Sequence, residues 1–411
     1  MLSKRLDVIT PSRTVGISSK VKEMKAQGID VLNLSVGEPD FNVPEKAKEC
    51  GIKSLNDNIT KYDLVPGLTI LREEISKKLL EENNCHYAPD EIVVTSGAKM
   101  ALTNTLMAVT DPGDEVLLVK PYWVSYSEMT KLVNAVPVGI ETDKANDFKL
   151  TGELLEKYIT EKTKMLILNN PCNPTGAIYT KEELLDICNV CLKHNIYILA
   201  DEIYERICFN NKFVSVASLS DEIRNITITI NGFAKSAALT GTRLGYSATP
   251  RELAKNISAI QGHLVSHPCL AAQYIGYGAL KYCKDDIDNM VEAYRKRRDL
   301  VTARLDKIEN LDYIYPQGAF YVFIDISKVK DKFEYKESLS SDFCDKFLEE
   351  YKVAIVPGIA FGIDEYVRIF HHKFVFSQSD KLFKYYPFEP VVIVWFYIVY
   401  GYFIYLFKVF V

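Results

Sequence analysis

The chain has 411 residues, of which 48% are hydrophobic and 25% are charged, and its formal net charge is −5. These proportions are ordinary for a soluble globular protein. One hydrophobic core seldom grows beyond roughly 250–300 residues, so we expect two packed domains. The acidic balance and the lack of lysine- or arginine-rich runs argue against a nucleic-acid partner.

The amino-terminal segment and the cysteines indicate the cellular compartment. The first 16 residues contain no apolar run behind their charges, so they do not predict a signal peptide, and we expect a cytoplasmic location. The nine cysteines are scattered, which in a reducing compartment predicts free thiols. Cys188, Cys191 and His194 are spaced by three residues on a predicted helix, but no second ligand pair follows, and we expect no metal site.

The middle of the chain alternates short apolar runs with helix-like stretches. Four runs have strand length and turn residues near their ends, namely Val116–Val119, Met165–Leu168, Ile196–Leu199 and Ile226–Ile230. Thr180 and Glu183 predict a capping box that opens a helix ending near His194. An earlier helix starts near Lys99 and is stopped by Asp111–Pro112–Gly113. Runs that are apolar on both faces, alternating with helices, predict an α/β fold with a mostly parallel sheet.

After about Lys284 the pattern changes to that of a smaller α+β domain. A charged helix, an apolar strand, a second helix and a further strand are predicted at about 285–310, 318–324, 337–350 and 353–356. We therefore expect four segments: an amino-terminal arm with part of the small domain at 1–45, a large domain at 46–284, the small domain at 285–370, and an atypical apolar and aromatic tail at 371–411.

Ligands of parallel sheets bind at the carboxyl ends of the strands, so polar residues directly after the runs are candidate site residues. They lie at 170–173, 201–202 and 231–235. A lysine after a buried strand, such as Lys235, is costly if it stays charged, and a desolvated lysine can form a Schiff base. Arg243 is a fixed cation suited to a phosphate dianion. Taken alone, the two residues fit an exposed loop lysine and a surface arginine better.

The stretch 231–246, NGFAKSAALTGTRLGY, resembles the lysine segment of class I aminotransferases, whose pattern is S-K-x-x-x-M-T-G-x-R-x-G-Y. The resemblance implies that Lys235 forms the Schiff base with pyridoxal 5′-phosphate, in the large domain, and that Arg243 binds the phosphate. Three positions depart from the pattern, namely Gly232, Leu239 and Thr242. Because the family often has a phosphate-binding serine at the position of Gly232, we expect one hydrogen bond to phosphate to be lost.

Two further motifs continue the resemblance, N-P-C-N-P-T-G at 170–176 and D-E-I-Y at 201–204. The resemblance implies that Asn173 donates to the phenolic oxygen of the cofactor and helps to hold the substrate carboxylate. Asp201 would pair with the protonated pyridine nitrogen, which makes the ring a better electron sink. Tyr204 would bond the ring oxygen and tune the Schiff base. An isolated Asp-Glu pair is more often a helix N-cap, so this assignment depends on the neighbouring motifs.

The phosphate and the ring have further candidate ligands. A small-residue turn, Ser96–Gly97–Ala98, precedes a helix, where free N–H groups and the helix dipole favour an anion. In the family this turn binds the phosphate, which implies that Gly97 and Ala98 are backbone ligands. Trp123 follows the 116–119 strand, and the resemblance places it on the pyridine ring, where an aromatic side chain can stack. A partly buried core tryptophan is the alternative.

Four motifs outside the large sheet also match the family. Tyr62 lies in K-Y followed by G and L-R, and in the family this tyrosine reaches the phosphate of the partner subunit's site, which implies a homodimer. Gly37, in V-G-E-P-D-F, matches a lid whose backbone approaches the substrate carboxylate. Arg368, in Y-V-R-I, would clamp the α-carboxylate in a bidentate manner, although alone it fits a solvent-exposed edge strand. Residues 316–321, P-Q-G-A-F-Y, match a further family motif.

The resemblance implies transfer of an amino group from an L-amino acid to a 2-oxo acid. Lys235 would move the α-proton as base and then acid, and Asp201 would keep the ring protonated. Lys99 lies where one bacterial subgroup of aspartate aminotransferases binds the distal carboxylate, which favours aspartate and 2-oxoglutarate as substrates. A solvent-facing lysine, and an aromatic or broad-range aminotransferase, stay open. A carbon–sulfur lyase and an inactive cofactor-binding relic are the alternative functions.

The resemblance runs from about Pro11 to Ile369 and then breaks. No charged residue lies between Val391 and Phe407 in the tail that follows. A membrane anchor, a buried extension and a frame disruption near Phe370 are three interpretations of this tail. A membrane span needs about 20 apolar residues, so an anchor is marginal and we favour the disruption. In that case the tail is an aggregation hazard and the small domain lacks its closing helix.

Overall fold

A computed structural model describes residues 2–10, 13–209, 213–308, 311–330 and 333–371 of the chain. The interpretations of the tail concern residues 372–411 and lie outside the described residues. Within the described ranges, no helix has both the length and the apolar character that a membrane span requires.

Helices of the chain are numbered in chain order. They are α1 (Arg13–Ala26), α2 (Glu45–Asn56), α3 (Thr69–Asn83), α4 (Ala98–Val109), α5 (Ser125–Leu132), α6 (Gly152–Glu156), α7 (Lys181–His194), α8 (Asp221–Ile226), α9 (Phe233–Ser236), α10 (Arg251–Leu264), α11 (Leu270–Tyr282), α12 (Lys284–Leu305) and α13 (Leu339–Tyr351).

Strands are numbered in the same way. They are β1 (Leu32–Asn33), β2 (Ile92–Thr95), β3 (Glu115–Val119), β4 (Val136–Ile140), β5 (Thr163–Asn169), β6 (Tyr197–Asp201), β7 (Thr227–Gly232), β8 (Gly245–Ala248), β9 (Asp312–Ile314), β10 (Tyr321–Asp325), β11 (Val353–Ala354), β12 (Val356–Pro357) and β13 (Tyr366–Phe370).

A seven-stranded sheet forms the centre of the molecule, in the order β2-β8-β7-β6-β5-β3-β4. Strand β8 is antiparallel to both of its neighbours, and the other pairs are parallel. The four predicted apolar runs form β3, β5, β6 and β7, and their central residues are buried because helices cover both faces of the sheet. The predicted α/β fold with a mostly parallel sheet is therefore confirmed.

Helix α7 begins with the predicted capping box. The hydroxyl of Thr180 accepts a hydrogen bond from the Glu183 N–H at 3.2 Å, and the Glu183 carboxylate accepts one from the Thr180 N–H at 2.8 Å. Cys188 and Cys191, on this helix, are buried in the core, whereas His194 bonds the carboxylate of Glu156. The two thiols thus share one apolar cluster and the imidazole lies apart from them, and the ranges given above contain no group of three candidate metal ligands.

A second sheet, antiparallel and of four strands, has the order β12-β13-β10-β9 and packs beside α12 and α13. The single strand predicted at 353–356 was wrong, since it divides at Ile355: β11 pairs with β1 and β12 pairs with β13. The apolar strand predicted at 318–324 starts only at Tyr321, because Ala319 adopts a left-handed conformation with φ 57°. The pairing of β1 with β11 brings the amino-terminal segment to this half of the molecule. The boundaries of the domains stay a prediction.

Buried acids fix the turn that follows β6. The carboxylate of Glu202 accepts hydrogen bonds from the Ser215 hydroxyl at 2.8 Å and from the Val216 N–H at 2.9 Å. The carboxylate of Glu205 accepts hydrogen bonds from the ammonium of Lys78 and from the amide of Asn83. Burial raises the pKa of Glu202 to about 8. Because buried polar groups are costly unless they are paired, these contacts specify one conformation of the turn.

Candidate active site

Lys235 lies on the short helix α9, directly after the fully buried strand β7. Its ammonium donates a hydrogen bond to the carbonyl oxygen of Gly37. The same nitrogen lies 5.9 Å from the ring centre of Tyr204 and 5.7 Å from that of Phe320. The amine therefore stands in an aromatic, part-buried environment that the amino-terminal segment closes from one side.

This environment changes the protonation of Lys235. Burial lowers the pKa of the amine to about 8, and the nearby cations Arg368 and Arg243 also lower it, whereas the carboxylates of Glu38 and Asp201 oppose them. A pKa near 8 makes the neutral, nucleophilic amine accessible at neutral pH. An exposed loop lysine, the alternative for this residue, is thus not what the structure shows.

Asp201 is the last residue of β6, and 3% of its surface is exposed. Its Oδ2 accepts a hydrogen bond from the Tyr126 hydroxyl at 2.7 Å, and its Oδ1 accepts one from the Ile203 N–H at 3.2 Å. Burial raises the pKa of Asp201 to about 6, and the hydrogen bond from Tyr126 opposes this rise. Turns, and not a helix, follow at 203–206, so the N-cap alternative was wrong.

A positive pocket forms where β2 leads into α4. Gly97 is the N-cap residue of α4, has φ 84°, and no side chain caps the helix. The guanidinium of Arg243 lies against Gly97, since a Cβ at this glycine would be 2.7 Å from Nη2 of Arg243. Gly245 lies so close to the Ala98 N–H that a Cβ there would collide with it. A cation beside the positive end of a helix binds anions, so this pocket fits a phosphate.

Gly232, which departs from the family pattern, has little space for a side chain in this structure. Gly232 pairs with Gly245 across β7 and β8. A Cβ on Gly232 would lie 2.9 Å from the Gly245 Cα and 2.9 Å from the Leu244 carbonyl oxygen. Because both contacts are with backbone atoms, a serine at this position requires the two strands to move apart.

Arg368 and Asn173 form a second cluster of candidate site residues. Arg368 is 4% exposed on β13, between β12 and β10, so the alternative of an exposed edge arginine was wrong. Its Nη1 donates to the Asn173 side-chain oxygen at 3.0 Å, and its Nη2 donates to the Ser35 carbonyl oxygen at 2.9 Å. Its Nε has no hydrogen-bond partner among the described residues. The guanidinium is thus fixed in place and retains donors for a carboxylate.

A pair of tyrosines, Tyr204 and Tyr321, lies between Lys235 and Arg368. The hydroxyls of Tyr204 and Tyr321 lie 2.9 Å apart, and both side chains are buried. Burial and the neighbouring Tyr321 raise the pKa of Tyr204 well above its ordinary value, so it stays a neutral phenol. The Tyr321 ring centre lies 4.1 Å from the Arg368 guanidinium, and its hydroxyl would be 2.9 Å from a Cβ on Gly37. Tyr321 therefore places the sequence motif at 316–321 beside Arg368 and Gly37.

Lys99 and Trp123 line the site at the start of α4 and α5. The Lys99 ammonium lies 4.8 Å from the centre of the Trp123 ring and donates to the Ser125 hydroxyl at 3.0 Å. Partial burial and the charge of Arg243 lower the pKa of Lys99. Much of the Lys99 side chain is accessible to solvent, but its ammonium is held over the face of Trp123 and is not extended away from it.

Tyr62 does not reach this site within the chain. Its side chain is 91% exposed, and its ring contacts that of His267 edge to face, with 6.0 Å between the centroids. Lys61 and Leu270 line the same open groove, whose volume is about 460 Å³. The position agrees with a role outside its own subunit, which stays a prediction.

The sequence alone missed four contributors to the site. They are Ser35, Ser125, Tyr126 and Asn169. Tyr126 follows β3 at the carboxyl edge of the sheet, three residues after Trp123, and this position was the available signal. Ser35 and the Asn169 side chain act on Arg368 and on the Asn173 N–H, and both lie within or beside motifs that were recognised.

The sequence profile of the family described as Aminotransferase class I and II matches residues 29–372. The chain belongs to this family of aminotransferases. Among curated relatives, the chain is 44% identical to the probable aspartate/prephenate aminotransferase of Aquifex aeolicus strain VF5, over 90% of this chain and 93% of that protein. It is 41% identical to the aspartate aminotransferase of Bacillus subtilis strain 168, again over 90% of this chain and 93% of that protein.

Solved aminotransferase structures share this fold. The aspartate aminotransferase of Rhizobium meliloti superimposes with a TM-score of 0.86 at 37% identity, over 90% of this chain and 94% of that one. The Thermus thermophilus aspartate aminotransferase with maleate gives 0.85 at 36% identity, over 90% and 95% of the two chains. The chain is therefore an aminotransferase with the architecture of these enzymes.

The lowered pKa of Lys235 predicts selective reactivity of the cofactor-free aminotransferase. Because the folded amine loses its proton above about pH 8, its reductive methylation should reach half of its maximal rate there, whereas exposed lysines need about pH 10. Peptide mass spectrometry across a pH series measures both rates in one sample. A half-maximal pH for Lys235 equal to that of the exposed Lys53 would contradict the assigned environment.

Proposed function

We propose that this aminotransferase uses pyridoxal 5′-phosphate to transfer the amino group of L-aspartate to 2-oxoglutarate. The observation that supports this most directly is the setting of Lys235. Its amine has a pKa near 8 and lies within electrostatic reach of the carboxylate of Asp201 at the end of β6, of the carboxylate of Glu38, and of two guanidinium groups, Arg243 and Arg368. An acid, an amine and two anion-binding groups in one cleft are what a phosphorylated pyridine aldehyde and an amino acid need together.

The residues fit the phosphate and the ring nitrogen of this cofactor. The uncapped start of α4 at Gly97 and Ala98, with Arg243 beside it, offers N–H groups and positive charge to the phosphate. The buried Asp201 offers a carboxylate to a protonated pyridine nitrogen. Lys235 supplies the amine that condenses with the aldehyde. When bound, the cofactor supplies an electron sink for the α-carbon of the substrate.

Other side chains would orient the ring and the substrate. Trp123 offers an aromatic face for stacking, and Asn173 and Tyr204 offer polar atoms on the side of the phenolic oxygen. Arg368, held by Asn173 and by the Ser35 carbonyl, would bind the α-carboxylate through its remaining donors. Lys235 would hold and move the α-proton, since a base with a pKa near 8 works efficiently at neutral pH.

Replacement of the central amine tests the proposal. Lys235→Ala should remove the absorption band of the lysine-bound cofactor and reduce transamination at least about a hundredfold, because base and covalent attachment are lost together. Borohydride treatment of the cofactor-loaded parent should label position 235. Lys193→Ala, at an exposed lysine, is the control and should keep both properties. A label at another residue would refute the assignment.

The preference for aspartate depends on Lys99. Two relatives are named aspartate or aspartate/prephenate aminotransferases, and the Thermus structure was solved with maleate. In this chain the ammonium of Lys99 is held by Trp123 and Ser125 at the edge of the site. A cation in this place can bind the distal carboxylate of a dicarboxylic substrate.

Lys99→Ala should therefore lower the preference of the enzyme for aspartate over a donor without a distal carboxylate. We expect kcat/KM for aspartate to fall by about tenfold to a hundredfold, since a hydrogen-bonded charge pair is lost, whereas kcat/KM for phenylalanine should change little. Steady-state kinetics with both donors and 2-oxoglutarate measure the difference. Equal losses on the two donors would remove the case for aspartate.

We also propose a homodimer in which Tyr62 completes the phosphate pocket of the other subunit. Four apolar or aromatic side chains between residues 52 and 64 are at least half exposed, namely Ile52, Leu55, Tyr62 and Leu64, and Leu55 and Tyr62 line the same groove. A cluster of exposed apolar side chains of this kind is typical of a surface that a partner covers. The cytoplasmic location stays a prediction from the sequence.

Mixing two variants tests the dimer. Tyr62→Ala and Lys235→Ala should each be weakly active alone, but a mixed dimer would hold one site with both native residues, so random mixing should restore roughly a quarter of the parental activity. Activity after dissociation and reassembly measures this, and a mixture of Lys235→Ala with itself is the blank. A monomer in sedimentation would contradict the dimer.

A carbon–sulfur lyase is the alternative that product analysis separates. Transamination yields a 2-oxo acid and a new amino acid, whereas elimination yields pyruvate and ammonia. The family and the named relatives support transamination, and the retained Lys235, Asp201 and Arg368 argue against an inactive relic.

A further inference from the structure

The carboxylate of Asp201 accepts a hydrogen bond from the hydroxyl of Tyr126, a residue that has no role in the proposed function. Tyr126 donates to Asp201 Oδ2 at 2.7 Å, and the two residues are 2% and 3% exposed. The Ile203 N–H donates to the other oxygen, Oδ1, at 3.2 Å. Each carboxylate oxygen thus has one fixed donor, and together the two bonds set the plane in which the carboxylate lies.

Tyr126 is itself held firmly. It lies in the first turn of α5, where its N–H donates to the Trp123 carbonyl at 3.0 Å and its own carbonyl accepts from the Thr130 hydroxyl at 2.9 Å. Its ring contacts the Trp123 ring edge to face, with 5.4 Å between centroids, and packs in the apolar core beneath the sheet. Because the ring cannot turn away, the hydroxyl has Asp201 as its fixed acceptor.

The titratable groups around this pair are Lys235 and Tyr204 on the site side and Cys172 beside Tyr126. Lys235 supports the charge of Asp201 only while the amine is protonated, and its pKa near 8 makes that charge variable. Burial raises the pKa of Tyr126 well above its ordinary value, so its proton stays in place at any working pH. Like the Ile203 N–H, the Tyr126 hydroxyl is therefore a donor whose support of Asp201 does not change when Lys235 loses its proton.

We propose that Tyr126 is a positioning residue, which keeps Asp201 ionised and aimed at the ring nitrogen of the cofactor throughout the reaction. This inference rests on the proposed function, because it requires pyridoxal phosphate as the group that Asp201 faces. It adds a requirement that the motifs do not contain: Asp201 depends on a hydroxyl contributed by a different strand–helix connection.

Tyr126→Phe removes only the hydroxyl and tests the proposal through cofactor binding. Pyridoxal phosphate should bind the cofactor-free parent less tightly as pH falls through the pKa of Asp201, because a protonated carboxyl cannot pair with the pyridinium. In Tyr126→Phe this transition should move up by about one pH unit, and the Kd near neutral pH should rise about tenfold. Absorbance titration at a series of pH values gives both quantities.

Tyr179→Phe is the matched control. Tyr179 is also buried and also has one hydrogen bond through its hydroxyl, which accepts from the Leu150 N–H at 2.9 Å, away from Asp201. It should leave the pH of the transition unchanged. In an Asp201→Asn background, Tyr126→Phe should have little further effect, because the acceptor charge is already absent.

A second probe isolates the ring nitrogen. A cofactor analogue in which a C–H replaces that nitrogen should bind the parent and Tyr126→Phe with similar Kd. An unchanged transition in Tyr126→Phe, or an equal loss with the analogue, would overturn the positioning role and indicate packing alone. A parent that binds no pyridoxal phosphate would overturn the proposed function itself, so the two failures are distinguishable.

Discussion

The desolvation of one lysine is the constraint around which this molecule is arranged. Strand β7 is buried along its whole length, and Lys235, three residues after the strand ends, is desolvated as well. Arg368 and Arg243 act in the same direction on its pKa. An ammonium in such a place is costly, and the structure reduces that cost by letting the proton leave and by placing carboxylates within reach. The burial that makes the ammonium costly therefore also makes the neutral amine of Lys235 accessible at neutral pH.

The buried acids of the 201–205 segment also need hydrogen-bond and ion-pair partners, and these partners come from other parts of the chain. Three carboxylates stand close together along the chain, Asp201, Glu202 and Glu205, and all are buried. Each has its own partners on a different element: the hydroxyl of Tyr126, the Ser215 turn, and the ammonium of Lys78. Because like charges in a low dielectric repel, burial and the charge of Glu205 raise the pKa of Glu202 to about 8, and this protonation together with the separate partners lets the three acids coexist in one turn.

The sequence predicted those features that depend on short stretches of chain. The four buried strands and the capping box of Thr180 and Glu183 follow from local patterns, and the structure confirms them. The positions of Lys235 and Asp201 at strand ends follow from the same patterns. Contacts between distant residues could not be predicted, since Tyr126 and Asp201 lie 75 residues apart and only the sheet order brings them together. The division of the 353–356 strand depends on two separate pairing partners, β1 and β13, which no local pattern contains.

The placement of Arg368 has a mechanical consequence. It lies on the antiparallel sheet, whereas Lys235 follows a strand of the large parallel sheet. On the function proposed above, an amino acid whose carboxylate binds Arg368 and whose α-proton is moved by Lys235 would contact residues from both sheets. Such a substrate would bridge the two sheets, whereas a simple amine, which lacks the carboxylate, would contact the large-sheet side alone.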